Sequence, residues 1–145
     1  MIIVTSISGA SRTQFDRTYA IVRSMRHTSS WIRQLPVLSP GTDLFFKYRR
    51  WVQEGVWGQE KFQKEYVPQF LEEMTEQPAR EMLNKLYRLS ADGERIQLCC
   101  FCPDETLCHR SIIAGLLQGA GAHVWLPSGA DYSGYFERYK RLQAK

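Results

Sequence analysis

The stretch from Ile96 to Leu126 constrains the fold more than any other part of this chain. Ile96–Cys102 has the length and apolarity of a buried strand, with Gln97 its one polar residue, and Thr106–Gln118 is rich in Leu, Ile and Ala and closes on Gly119 and Gly121. Ala122–Leu126 is a second short apolar run, ended by Pro127. A strand, a helix with a glycine stop and another strand make a βαβ unit, which predicts parallel strands joined by a right-handed crossover. Parallel strands need cover on both faces, so helices must flank the sheet.

The remaining segments fit that frame. Ile2–Ser6 is short and β-branched and reads as a first strand, and Tyr19–Arg23 reads as a second, with a short helix as the alternative. The residues from 28 to 41 are broken by Pro36 and Pro40 and read as irregular. Thr42 or Asp43 is placed to cap a helix whose apolar positions recur from Leu44 to Val52. Phe62, Tyr66, Phe70 and Met74 stand four apart and predict a buried helical stripe, kinked or divided at Pro68. Ala79–Leu89 reads as a third helix, and 132–145 as a short basic amphipathic helix or a frayed end. The expected fold is α/β over 1–145 as a single domain. It has a small, mostly parallel sheet flanked by helices in a Rossmann-like three-layer arrangement, with a helical insert at 43–89.

The chain has 145 residues, 43% of them hydrophobic, which is enough for a real core. All four cysteines lie between 99 and 108, whereas a secreted disulfide scaffold would spread them to staple distant loops. The N-terminal residues lack a basic region followed by a long apolar stretch, and no segment approaches the ~20 apolar residues of a membrane span. These features predict no membrane association and a reducing cytoplasmic setting, and leave the oligomeric state open. A formal net charge of +4 leans weakly toward an anionic partner, and Arg12, Arg17, Arg23, Arg26, Arg33, Arg49 and Arg50 load the first third.

The chemistry is concentrated in Cys100-Phe-Cys102-Pro-Asp-Glu-Thr-Leu-Cys108-His109-Arg110. Open α/β sheets bind ligands where the carboxyl end of a strand turns into a helix, because the helix amides and dipole point there. A thiol at that helix start, beside an imidazole and a guanidinium, has the surroundings that activate a nucleophile. Cys102 and Cys108 are therefore the candidate nucleophilic or redox thiols, and His109 the proton carrier. Arg110 and Arg23 are candidate anion ligands, and Ser6 and Ser8, at the end of the first strand, converge on the same sheet edge. Cys99 and Cys100 read as plain core. His27 and His123 read as structural or solvated, and Trp57, flanked by glycines, as core or a mobile lid.

Two alternatives follow from the same residues. Thiol phosphatases need a cysteine, five intervening residues and then an arginine, whereas five residues after Cys102 lead to Cys108, with Arg110 two further on. Cys102, Cys108 and His109 are donors that zinc accepts. However, Cys108 and His109 are neighbours on a helix and diverge by about 100°, and Cys100 is expected in the core, so a metal is not favoured.

The Cys-x5-Cys-His-Arg pattern at Cys102–Arg110 resembles the signature of the domain of unknown function 488 family. Leu38-Ser-Pro-Gly-Thr-Asp-Leu44, then Trp57, Phe62 and Tyr66, resemble that family's upstream pattern. Arg23 stands where the family has Asp-Val-Arg, although Ile21-Val22-Arg23 lacks the acid. The resemblance covers roughly 19–126. It implies an α/β fold and an uncharacterised activity linked by proposal to nucleotide or nucleic-acid metabolism. The expected function is an enzyme acting on an anionic substrate, a nucleotide or nucleic-acid base. The alternatives are a non-catalytic nucleotide or nucleic-acid binding module and a thiolate metal site.

Overall fold

The computed structural model describes residues 1–24 and 29–144. Arg26 and His27 lie outside the described residues. Five strands, β1 (Ile2–Ser6), β2 (Arg17–Ala20), β3 (Arg33–Gln34), β4 (Ile96–Cys100) and β5 (Val124–Trp125), form one sheet in the order β3-β2-β4-β1-β5. Every pairing is parallel. The helices are α1 (Thr42–Gln53), α2 (Gln59–Lys61), α3 (Val67–Glu73), α4 (Gln77–Ala91), α5 (His109–Gly119) and α6 (Gly134–Gln143). This is the three-layer α/β arrangement expected from the sequence.

β4 is the buried centre of the sheet, with β1 and β2 on either side. Alternation sends Ile96, Leu98 and Cys100 to one face and Gln97 and Cys99 to the other. The Gln97 side chain faces the 7–16 connection. The Gln97 amide donates to the carbonyl of Ser11 at 2.9 Å and to Thr18 Oγ1 at 3.1 Å, and its Oε1 accepts from Ser11 N–H at 2.9 Å. This buried side chain thereby satisfies the backbone of the 7–16 connection, which returns from the top of β1 to the bottom of β2 with no repetitive structure beyond one short turn at Ile7–Gly9.

The second strand starts earlier than the apolar run suggested, at Arg17 rather than Tyr19, and ends at Ala20. Its lower end is fixed by charge: Arg17 donates to Glu94 at 2.8 Å, and Asp16 accepts from Arg95 N–H at 2.7 Å. A further two-residue strand, β3, lies in the segment expected to be irregular. Its pattern is too short to register in sequence, and its pairing with Tyr19 and Ala20 comes from tertiary context.

The aromatic stripe is core, as its spacing requires. Phe62, Tyr66, Phe70 and Met74 are all buried, with Phe62 stacked on Tyr66 and Tyr66 on Phe70 at ring centroids 5.2 and 6.1 Å apart. Pro68 does not break the helix. It sits in the first turn of α3, and the strain is absorbed by a π-turn at Phe62–Tyr66 that carries the chain from α2 into α3. Trp57 is no lid: it stacks on buried Trp51 with centroids 6.0 Å apart and meets Tyr48 edge-on at 4.9 Å.

α5 is buried almost throughout, and α6 closes over it with Tyr135 and Tyr139 buried. The tail is thus a packed helix. Gly115 and Gly119 permit the contact, since a Cβ on Gly115 would lie 2.1 Å from the Tyr132 carbonyl oxygen and one on Gly119 2.1 Å from Phe136 Cβ. The glycine stop is Gly121, at φ +103, where its N–H and that of Ala122 close back on Gln118 and Leu117. Among the described residues, no helix is long and apolar enough to cross a membrane.

Candidate functional site

β4 delivers Cys100 to the carboxyl edge of the sheet, and the chain then leaves through Cys102 and a short turn at Glu105–Leu107. Asp104 opens that turn by accepting from Thr106 N–H at 3.0 Å. Cys108 follows as the N-cap of α5, with extended backbone (φ −124°, ψ 144°), and His109 and Arg110 form the first helical turn. The extended cap corrects the argument that Cys108 and His109 must diverge. Because Cys108 stands outside the helix, its Sγ turns back to within 3.6 Å of His109 Nδ1.

Cys100 is the second correction. It is buried, as expected of core, yet its side chain lies on the α5 face of β4 and joins the site. The sulfurs of Cys100, Cys102 and Cys108 all lie within 4.8 Å of one another, and Cys100 Sγ is 3.2 Å from Cys108 Sγ. The alternation of β4 carried this signal, since Cys100 and Cys102 share a parity that Cys99 lacks. Cys99 points to the opposite face, 3.5 Å from the Tyr19 carbonyl, and burial pushes its thiol up to about 11.

Arg110 sets the electrostatics. Its guanidinium is buried, and Nη1 donates to Cys100 Sγ at 3.4 Å and to the Cys102 carbonyl oxygen. Nε is the buried side-chain nitrogen that has no partner among the described residues. A buried cation needs a counter-charge, and Cys100 supplies it. Hydrogen bonds from Cys102 and Cys108, then the imidazole and the guanidinium, hold the Cys100 thiol far below its ordinary range. Cys102 is pushed the other way, up to about 12, chiefly because it donates to Cys100, and burial drives Cys108 upward as well. The three thiols therefore titrate as one coupled group, in which Cys100 is the sulfur whose neighbours favour the thiolate.

His109 is fixed in one tautomer. Its Nε2 lies 2.6 Å from the Ile21 carbonyl, an acceptor only, so Nε2 carries the proton and Nδ1 presents a lone pair to Cys108. Burial lowers its basicity, so the ring is neutral, with Nδ1 facing the Cys108 sulfur.

These groups open on a cavity of about 310 Å³. The three sulfurs and His109 line its floor, with Tyr66 from the π-turn, and α1 contributes Phe45 and Tyr48. Arg23 lines it too, its guanidinium 4.6 Å above the Phe45 ring and hydrogen-bonded to Thr42 Oγ1 at 3.1 Å. Cys102 is half-buried while Cys100 and Cys108 lie beneath it. Of the residues expected to converge here, Cys102, Cys108, His109 and Arg23 line the cavity, and Arg110 stands behind it against Cys100. Ser6 is in register with Cys100, but its hydroxyl pairs with Ser8 at 3.1 Å and neither serine lines the cavity. Phe45, Tyr48 and Tyr66 were not singled out as site residues, because at helical spacing a wall aromatic is indistinguishable from core.

Comparison with curated proteins and with solved structures finds no match. Residues 7–121, which take in β2, β3, β4, the helical insert and the thiol cluster, match the family described as "Active DUF488-N3 subclade", and the chain belongs to that domain of unknown function 488 family.

Proposed function

We propose that this cavity is the active site of an enzyme that acts, through a cysteine thiolate, on a small anionic substrate carrying a flat ring, a nucleotide or a nucleic-acid base. The observation that carries the reading is the convergence of three thiols, with a buried guanidinium behind them, on one cavity at the carboxyl edge of a parallel sheet. Cys100 bears the reactive charge, Arg110 holds it there, and Cys102 at the outer side gates access. His109 takes the Cys108 proton. Arg23 is the cavity-lining cation for a phosphate or carboxylate, and Phe45, Tyr48 and Tyr66 are the apolar walls against which a ring would lie. The volume is at the small end for ligand cavities, which suits a base or a mononucleotide better than a longer polymer. The family's description as active supports catalysis over passive binding.

The test is calorimetric titration with nucleoside monophosphates and free bases, followed by alkylation of the thiols in their presence. Binding that protects Cys100 and Cys102 from iodoacetamide, and that weakens by about ten-fold in Arg23→Ala, supports the reading. Absence of binding and of protection refutes it. Unchanged binding by Cys100→Ser, with no turnover by either protein, would assign a binding module. The three sulfurs are also close enough together to hold a metal ion; a stoichiometric ion in the purified protein would favour that reading over a reactive thiol.

A further inference from the structure

We propose that the cavity runs a two-electron dithiol–disulfide cycle in which Cys100 attacks the substrate and Cys108 resolves the adduct. The enzyme would then be a reductase of an electrophilic substrate, with an external dithiol as the electron donor. This rests on the thiolate reading above and adds the class of reaction.

A site that used a thiolate only as a nucleophile for acyl or phosphoryl transfer would need one sulfur. Here a second lies 3.2 Å from the first. A disulfide bond is about 2 Å long, so closing it asks for a shift of roughly 1 Å. Cys108 is free to make that shift because it caps α5 from extended backbone and is not locked in a helical turn. Any species formed on Cys100 sulfur through a heteroatom would sit beside a thiol at very high effective concentration. The two sulfurs are also unlike in the way such a pair requires. Cys100 faces the Arg110 guanidinium at 3.4 Å, which favours the attacking anion and makes it a good leaving group on reduction. Cys108 faces the His109 Nδ1 lone pair, to which its proton can pass.

The chemistry balances. The Cys100 thiolate attacks an electrophilic heteroatom X bearing a leaving group L, forming S–X and expelling L as an anion. Cys108 attacks Cys100 sulfur as its proton moves by way of His109 Nδ1 toward X, forming the disulfide and breaking S–X. X departs with the electron pair and collects the proton from His109. The substrate gains two electrons, the two thiols lose them, and a dithiol reductant restores the pair by exchange. Cys102 keeps its proton and is not consumed.

The test uses the full chain, reduced and freed of thiol reagent, with hydrogen peroxide as the probe electrophile. Wild-type protein should lose two of its four free thiols, and peptide mapping should place the bond between Cys100 and Cys108, with dithiothreitol restoring both. In Cys102→Ser the bond should still map to Cys100 and Cys108, whatever its rate. Cys108→Ser should instead accumulate a sulfenic acid at Cys100, trapped by dimedone and about ten-fold longer-lived than in wild type. Equal sulfenic acid in wild type and Cys108→Ser, or a bond mapped to Cys102, overturns the proposal. Iodoacetamide separates the two readings. If Cys100 alkylates far faster than Cys99 at neutral pH but no disulfide forms, the thiolate reading survives and the redox cycle falls. If Cys100 is as slow as Cys99, the thiolate reading itself falls.

Discussion

Replacing Arg110 by Gln removes the buried charge from behind Cys100 while keeping a side chain able to donate. The guanidinium Nη1 is 3.4 Å from the sulfur. Two unit charges at that distance interact by about 5 kcal/mol at an effective dielectric of ~20. The glutamine amide returns part of this as a dipole, and the lost desolvation of the guanidinium returns more. A net loss of about 2–4 kcal/mol remains, which at ~1.4 kcal/mol per pH unit raises the Cys100 midpoint by about 1.5–3 units. The assay is alkylation by iodoacetamide as a function of pH, with the modified cysteine identified by mass spectrometry and Cys99 as the buried internal reference. The sign is unambiguous: the variant needs a higher pH to form the thiolate, so its Cys100 alkylation profile should move up the pH axis by about 1.5–3 units. Arg110→Lys keeps the charge but cannot span both Cys100 and the Cys102 carbonyl, so it should lie between wild type and Arg110→Gln. Near-native circular dichroism for both variants would exclude a trivial collapse. A midpoint for Arg110→Gln within about half a unit of wild type would refute the reasoning. The thiolate would then owe its stability to the neighbouring thiols.

Gly115→Ala should destabilise the protein even though alanine is the better helix former by about 1 kcal/mol. The new Cβ would lie 2.1 Å from the Tyr132 carbonyl oxygen, a backbone atom that cannot swing away. Displacing α6 should cost about 2–4 kcal/mol, read as a lowered midpoint in urea; a midpoint equal to or above wild type would contradict the packing. His109→Gln tests the neutral imidazole. Burial depresses the His109 pKa in the folded state, so below the ordinary histidine value of 6.5 the unfolded chain binds the proton and the folded one resists it. Stability should thus fall as pH drops below 6.5, with a slope of up to about 1.4 kcal/mol per unit from this group, and the slope should flatten in the variant. Identical slopes in urea titrations at pH 5 and 7 would mean the ring is charged in the folded protein.

Periodicity made the βαβ unit and the aromatic stripe legible, because both bury a repeating face and leave a repeating pattern. It failed where pairing or packing is imposed from outside the segment. β3 is two residues long and owes its strand conformation to β2, so Arg33 and Gln34 carry no local signal. Gly119 read as a helix stop, since a glycine near a helix end has that role more often than it receives a side chain from another helix. Only the position of Phe136 in space separates the two.

The site divides along the same line. Cys108, His109 and Arg110 were legible because a helix start concentrates polar groups where a sheet needs none. Cys100 was not, because a cysteine at the end of a buried strand looks the same whether its sulfur meets Leu and Ile or another sulfur. What decides it is the charge behind it. Arg110 is drawn inward by the helix that carries it, and a guanidinium with no carboxylate partner among the described residues must find an anion in the protein or forgo burial. The nearest group able to become one is the Cys100 thiol. The strand thus places the sulfur and the helix places the cation, and it is the junction between them that favours a thiolate at Cys100.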